Sequence, residues 1–222
     1  MLEVVAIGVI IWFTAIALLF FNYGWNGALT QMSWFFTKAA LLTFGGAYAV
    51  LPYVYQGAVE HYQWLNPMQM IDGLALGETT PGPLIMVVAF VGFVGGWNTQ
   101  ALGADANIFS AFAAAAIVTF FTFLPSFIFI LMGGPFIEST HGNLKLTALL
   151  STITTAVVGV ILNLALFFAY HVLWPKGFSN MLDWPSAIII GCATVAMFKF
   201  KVNVIPIIVS CSLLGMAYKL FI

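Results

Sequence analysis

The sequence predicts an all-α polytopic membrane protein with about six spanning helices and a re-entrant broken-helix hairpin. Three observations lead there. Hydrophobic residues make up 63% of the 222 and charged residues 6%, against about 25% charged in average chains. Mean hydropathy is +1.08. Apolar stretches long enough to cross a bilayer recur along the chain, and one of them is interrupted by two prolines.

The first stretch, Val4 to Phe21, is uncharged, lacks a basic leader and ends in Asn22-Tyr23-Gly24 without a small-residue cleavage pattern. It reads as a retained leading transmembrane helix over residues 1–22. The membrane domain then covers residues 33–222. Its apolar stretches run from Trp34 to Val59, Met68 to Trp97, Ile108 to Met132, Leu146 to Leu173, Trp184 to Phe198 and Asn203 to Phe221. All but the Met68 to Trp97 stretch read as single crossings. In that one, Glu78-Thr79-Thr80-Pro81-Gly82-Pro83 stops the helix, because proline removes a backbone donor and clashes with the preceding turn.

Each arm of the broken stretch is shorter than the roughly 30 Å hydrocarbon layer. Lysine placement favours a turn back over residues 68–97. With a re-entrant hairpin, Lys38, Lys145, Lys199 and Lys201 share one face, and Lys176 and Lys219 share the other. With a crossing the bias vanishes. The expected orientation therefore has Lys145, Lys199 and Lys201 in the cytoplasm and the N-terminus outside.

Broken backbone at membrane depth survives where it is buried in protein or lines a polar cavity. Pro83 suits the first position of a helix, Thr79 and Thr80 bring hydroxyls before it, and Gly82 lets a ligand approach the backbone. Together with Pro81 they form a candidate anion cradle, in which unpaired N–H groups and the positive end of a helix dipole hold a sulfate-like group. The alternative is a proline kink filled by a neighbouring helix. A second break, Phe44-Gly45-Gly46, lies inside the Trp34 to Val59 stretch and marks either the other wall of that site or close helix packing. Lys38 either draws the anion or snorkels to the headgroups. Glu78, the carboxylate beside the double-proline break, is a candidate proton carrier or a cap on the broken helix.

Other chemistry is absent from the sequence. A net charge of −1 with six lysines and no basic tract offers nothing for nucleic acid. Cys192 and Cys211 lie in apolar segments and read as packing residues. His61, His141 and His171 lack metal-ligand spacing, and no nucleophile motif occurs, so neither an enzyme, a metal nor a cofactor is expected. Gly92 and Gly96 form a small-xxx-small pair that signals close helix packing. Asn66-Pro67-Met68 has the form of half a water-channel signature, but it occurs once.

Thr43-Phe44-Gly45-Gly46-Ala47-Tyr48-Ala49-Val50-Leu51-Pro52, Asp72-Gly73-Leu74 and Glu78-Thr79-Thr80-Pro81-Gly82-Pro83-Leu84-Ile85-Met86 together resemble the chromate transporter family. The likeness is strongest from about Phe36 to Trp97. It implies a multi-pass protein of the bacterial inner membrane that exports chromate, a tetrahedral oxyanion like sulfate; with Glu78 as proton carrier, the expected drive is the proton motive force. Long members of that family carry two homologous halves of opposite orientation, and this chain resembles one half, the C-terminal one. Because no second copy of the paired motifs is present, the resemblance implies a homodimer or a complementary homologous half as partner. The competing classes are a non-transporting scaffold or accessory subunit and a passive anion channel.

Overall fold

The computed structural model describes residues 2–43, 47–80, 82–103, 107–139, 144–174, 177 and 181–221. Among the described residues every regular element is helical: α1 (Leu2–Tyr23), α2 (Ala28–Leu42), α3 (Ala47–Tyr55), α4 (Pro67–Thr79), α5 (Val87–Thr99), α6 (Asn107–Ser139), α7 (Leu144–Leu173), α8 (Trp184–Phe198) and α9 (Val204–Phe221). The α3 helix continues as a π-helical stretch, Gln56–His61, and a 3₁₀ turn, Leu84–Met86, leads into α5. The chain divides into two compact units, Met1–Glu78 with Gly82–Leu164, and Thr79–Pro81 with Ala165–Ile222.

Lipid is the solvent that fits these surfaces. Helix α1 exposes Ile7, Ile10 and Phe13 at 57%, 63% and 64%, an apolar face that water would penalise. Among the described residues, Glu3–Tyr23 and Asn107–Gly133 are long and apolar enough to cross a bilayer outright.

Helix α6 organises the first unit, packing most extensively against α5 and then against α2 and α1. Missing side chains make the α5 contact possible. A Cβ on Gly92 would lie 2.9 Å from both the Ala114 carbonyl oxygen and the Ala115 Cα, and one on Gly96 would strike the Ser110 carbonyl and Ala114. Ala111, Ala114 and Val118 on the facing side of α6 are fully buried. Two backbones thus approach as closely as small-xxx-small packing permits.

The double-proline segment folds back on itself. Gly73 of α4 faces the Phe90 ring, Gly77 lies near Leu84 and Val87, and Asn98 at the end of α5 donates to the Trp64 carbonyl just before α4 (2.9 Å). The start of α4 is fixed by Asn66, whose Oδ1 accepts from the Gln69 N–H (2.8 Å) while Gln69 Oε1 accepts from the Asn66 N–H (3.0 Å). With Pro67 as the first helical residue this is a reciprocal capping box. The Asn-Pro pair is therefore a helix start.

The Trp34 to Val59 stretch departs from expectation, since it does not run through as a single crossing. Phe35 of α2 stacks on Tyr53 of α3 at 4.9 Å, meets Gly57 of the π-helical stretch, and packs edge-on against Tyr62 and Trp64. Chain reversal places α2 and α3 side by side, each too short for the hydrocarbon layer: α2 has 15 residues, about 22 Å. The aromatic side chains on both arms favour contact with one another over an extended crossing.

This second reversal also corrects the N-terminus. Met32 and Trp64 meet Gly95, Gly96 meets Ser110, and Ala40 and Thr43 share a cavity with Thr122 and Ser126, so α2 runs parallel to α6. Helix α1 runs opposite to both, with Trp12 Nε1 donating to Thr37 Oγ1 (3.0 Å) and Gly8 against Ile128. The N-terminal end of α1 therefore lies at the same end of the unit as the close of α6, and not at the opposite end from Lys145, which follows it at the start of α7.

In the second unit, α8 packs on α9 across a turn where Lys201 adopts φ 51°. Cys192 and Cys211 are free thiols lining one small cleft between them.

Gly96→Val is expected to destabilise the protein by about 1–3 kcal/mol through overpacking against α6, seen as a lower unfolding midpoint in detergent. Gly133→Ala, whose Cβ meets nothing within 4 Å, serves as the control. Equal midpoints for the two variants would show that the α5–α6 contact is not tight.

Candidate functional site

The two chain reversals have different local causes. Helix α2 ends at Leu42, where Thr43 donates its hydroxyl to the Ala39 carbonyl (2.6 Å) and its N–H to the Ala40 carbonyl (3.3 Å), and α3 starts at Ala47. Phe44, Gly45 and Gly46 lie outside the described residues. On the other hairpin, α4 ends at Thr79 and Pro81 lies outside the described residues. Pro83 is extended (φ −69°, ψ 127°) and caps the 3₁₀ turn, accepting from the Met86 N–H at 2.9 Å. It stands one residue before the helix and not as its first residue, because the fixed proline φ suits either position and its ψ here is that of a strand. Gly82 is exposed, and a Cβ there would meet nothing within 4 Å.

Residues flanking both breaks line one cavity of about 460 Å³. Ala40 and Thr43 come from α2, Ala47 and Tyr48 from α3, Pro83, Leu84 and Ile85 from the turn before α5, and Thr122, Phe123 and Ser126 from α6. Along α6 the cavity lies about 22–28 Å from the helix start, inside the apolar stretch Asn107–Gly133. The Tyr48 hydroxyl crosses from one hairpin to the other and donates to Glu78 Oε1 at 2.9 Å.

No cation is among the described lining residues, so an anion there would rely on hydrogen-bond donors and helix dipoles. The first N–H groups of a helix have no partner within it, which places those of Leu84 and Ile85 at the cavity. The Thr43 and Thr122 hydroxyl hydrogens are already directed at the Ala39 and Val118 carbonyls (2.6 and 2.7 Å). Their oxygens remain as acceptors.

Lys38 is not brought to this cavity. It projects from another side of α2, half-buried, with Nζ 5.9 Å from the Trp34 ring centroid. It borders an apolar crevice of about 480 Å³ between α1, α2 and α6, and a cleft of about 220 Å³ shared with Tyr53, Gln56 and His61. Thr79 closes α4 and Thr80 follows in a bend, both exposed.

Sequence reasoning missed Tyr48, Thr122 and Ser126. Tyr48 sat inside the Phe-Gly-Gly segment as one more aromatic residue. Thr122 and Ser126 carried a usable signal, two hydroxyls spaced i, i+4 on one face of a largely apolar helix.

The sequence profile described as chromate transporter matches residues 30–216. A chromate transport protein of Pseudomonas aeruginosa is 35% identical over 182 residues, covering 80% of this chain and 39% of that protein. One of Cupriavidus metallidurans is 31% identical over 195 residues, covering 86% of this chain and 43% of that protein. The chain thus spans less than half the length of these relatives. An uncharacterized transporter of Bacillus subtilis, 28% identical over 185 residues, is covered over 91% of its length. No solved structure matches.

Proposed function

The chain belongs to the chromate transporter family, whose members are membrane transporters and not enzymes, and from that premise we infer that it moves a tetrahedral oxyanion, chromate or a sulfate-like anion, out of the cell across the bacterial inner membrane. What carries this reading is the shared cavity: the flanks of two broken helices converge at membrane depth on a helix start. The anion is held by the N–H groups of Leu84 and Ile85, beside Pro83 in the cavity wall. A second copy of the chain, or a complementary homologous half, completes the transport path, since one copy of the paired motifs is present.

In this proposal both hairpins, α2–α3 and α4–α5, enter the membrane from one side and return to it, while α1 and α6 cross. The loops at 24–27, 62–66 and 100–106 contain no lysine, whereas Lys145 follows α6 at the other end. Positive residues collect in the cytoplasm, so the hairpins open outward and the N-terminus is cytoplasmic. On a background lacking Cys192 and Cys211, Gln63→Cys and Gln100→Cys should react with an impermeant thiol reagent from the outside, and Leu2→Cys only from the inside. Labelling of positions 2 and 63 from the same side would remove the two-hairpin topology.

Glu78 is the proton carrier of the cycle. Ionised, it repels a dianion at close range far more strongly than it would in bulk water. Protonated, it admits the anion. A dianion leaving with one proton moves a single net negative charge outward, which the membrane potential favours by about 2.3 kcal/mol per 100 mV. In liposomes, Glu78→Gln should keep oxyanion exchange yet lose the response of net flux to a pH gradient. Retained, gradient-proportional accumulation in that variant would return Glu78 to a capping role, and no flux in the unaltered chain would favour a scaffold.

Lys38 acts on approach and not in the cavity, by long-range attraction. Lys38→Ala should lower transport several-fold at limiting oxyanion and low salt while leaving the saturated rate and the protein's abundance unchanged. An unaltered rate at limiting substrate would assign Lys38 to snorkelling.

A further inference from the structure

Tyr48 joins the two hairpins, lines the shared cavity and is half-buried there, yet neither the anion cradle nor the proton carrier includes it. A phenol has one hydrogen to donate. That hydrogen lies on Glu78 Oε1 at 2.9 Å, between residues thirty apart in the chain. Because the hydroxyls of Thr43 and Thr122 are turned to helix carbonyls, Tyr48 is a side-chain donor in the wall whose acceptor is an ionisable group. An anion in the cavity and an ionised Glu78 compete for the same hydrogen.

We propose that Tyr48 is a substrate-contacting switch of the transport site: its hydroxyl hydrogen is held by Glu78 while that carboxylate is ionised and turns to the oxyanion when Glu78 is protonated. This rests on the reading of the cavity as the oxyanion site. On protonation the new hydrogen stays on a Glu78 carboxyl oxygen and is donated to Tyr48 Oη. The tyrosine keeps its own hydrogen, which rotates toward the anion. The result is a two-bond relay from carboxylic acid to phenol to oxyanion, and it converts proton occupancy into one extra donor at the site.

The groups facing Glu78 and Tyr48 leave little else to titrate. Tyr48 is the titratable side chain among the cavity's described lining residues, with α2 contributing Ala40 and Thr43 and α6 contributing Thr122, Phe123 and Ser126, all uncharged. On α4 itself, Asp72 is six residues earlier, exposed and on a different helical face from Glu78. Lys38 borders other cavities.

The test is equilibrium binding of sulfate, whose charge is constant across neutral pH, to the purified full chain, with dianionic chromate as a second probe. The unaltered protein should bind more tightly as pH falls. Glu78→Gln should bind tightly at every pH. Tyr48→Phe should bind about tenfold more weakly at low pH, the loss expected for one hydrogen bond to a charged group, and its affinity should vary less with pH than that of the unaltered protein, keeping only the part due to repulsion by ionised Glu78. Tyr48→Phe/Glu78→Gln should match Tyr48→Phe at low pH, where position 78 is neutral in both. A Tyr48→Phe protein with unaltered affinity and pH dependence overturns the switch and leaves the cavity reading intact. Absence of sulfate and chromate binding by the unaltered chain overturns both. If Tyr48→Phe is not recovered monodisperse, difluorotyrosine at position 48 keeps the shape and strengthens the donor. Tighter low-pH binding then supports the proposal and unchanged binding overturns it.

Discussion

A peptide group that leaves its helix inside hydrocarbon finds no water, and each unsatisfied group costs several kcal/mol. The first unit is arranged around that constraint. Two of its helices are interrupted, after Leu42 and ahead of Pro83, and residues beside both interruptions line one cavity that α6 also walls. The cap at Thr43 and the missing N–H of proline reduce the number of groups left to satisfy. The cavity thus lies where two interrupted helices meet α6.

Holding two short hairpins together needs contacts that lipid cannot supply, since lipid tails are as apolar as leucine. The α5–α6 seam meets this by close approach, through Gly92 and Gly96 against Ser110, Ala114 and Ala115. The α2–α3 hairpin meets it by aromatic stacking, with Phe35 on Tyr53 and Tyr62 on Trp64 at 4.9 and 4.4 Å. The hairpin bases are further pinned by the Asn66–Gln69 capping box and the Asn98 bond to Trp64. The tips meet through the Tyr48–Glu78 hydrogen bond.

Much of the fold was legible in the chain. The stretch from Trp184 to Phe198 is a helix over that whole range, both breaks interrupt helices where glycine and proline said they would, and Gly92 with Gly96 packs a helix as small-xxx-small spacing indicates. The capping box at Asn66 was equally readable, from Asn followed by Pro and then by Gln three residues on. These features are local, and local residues decide them.

Hydropathy by itself determined that the protein is helical and lives in lipid, and proline and glycine determined where its helices stop. Only the tertiary structure decided that the Trp34 to Val59 stretch turns back, that the N-terminus shares an end with the close of α6, and that Lys38 faces away while Tyr48, Thr122 and Ser126 face in. Apolarity is a scalar along the chain and is the same for a segment that crosses and one that returns. Direction and convergence arise from which helix faces fit together, and that depends on pairs such as Phe35 with Tyr53 and Gly96 with Ser110, whose contact the apolarity of the chain does not specify.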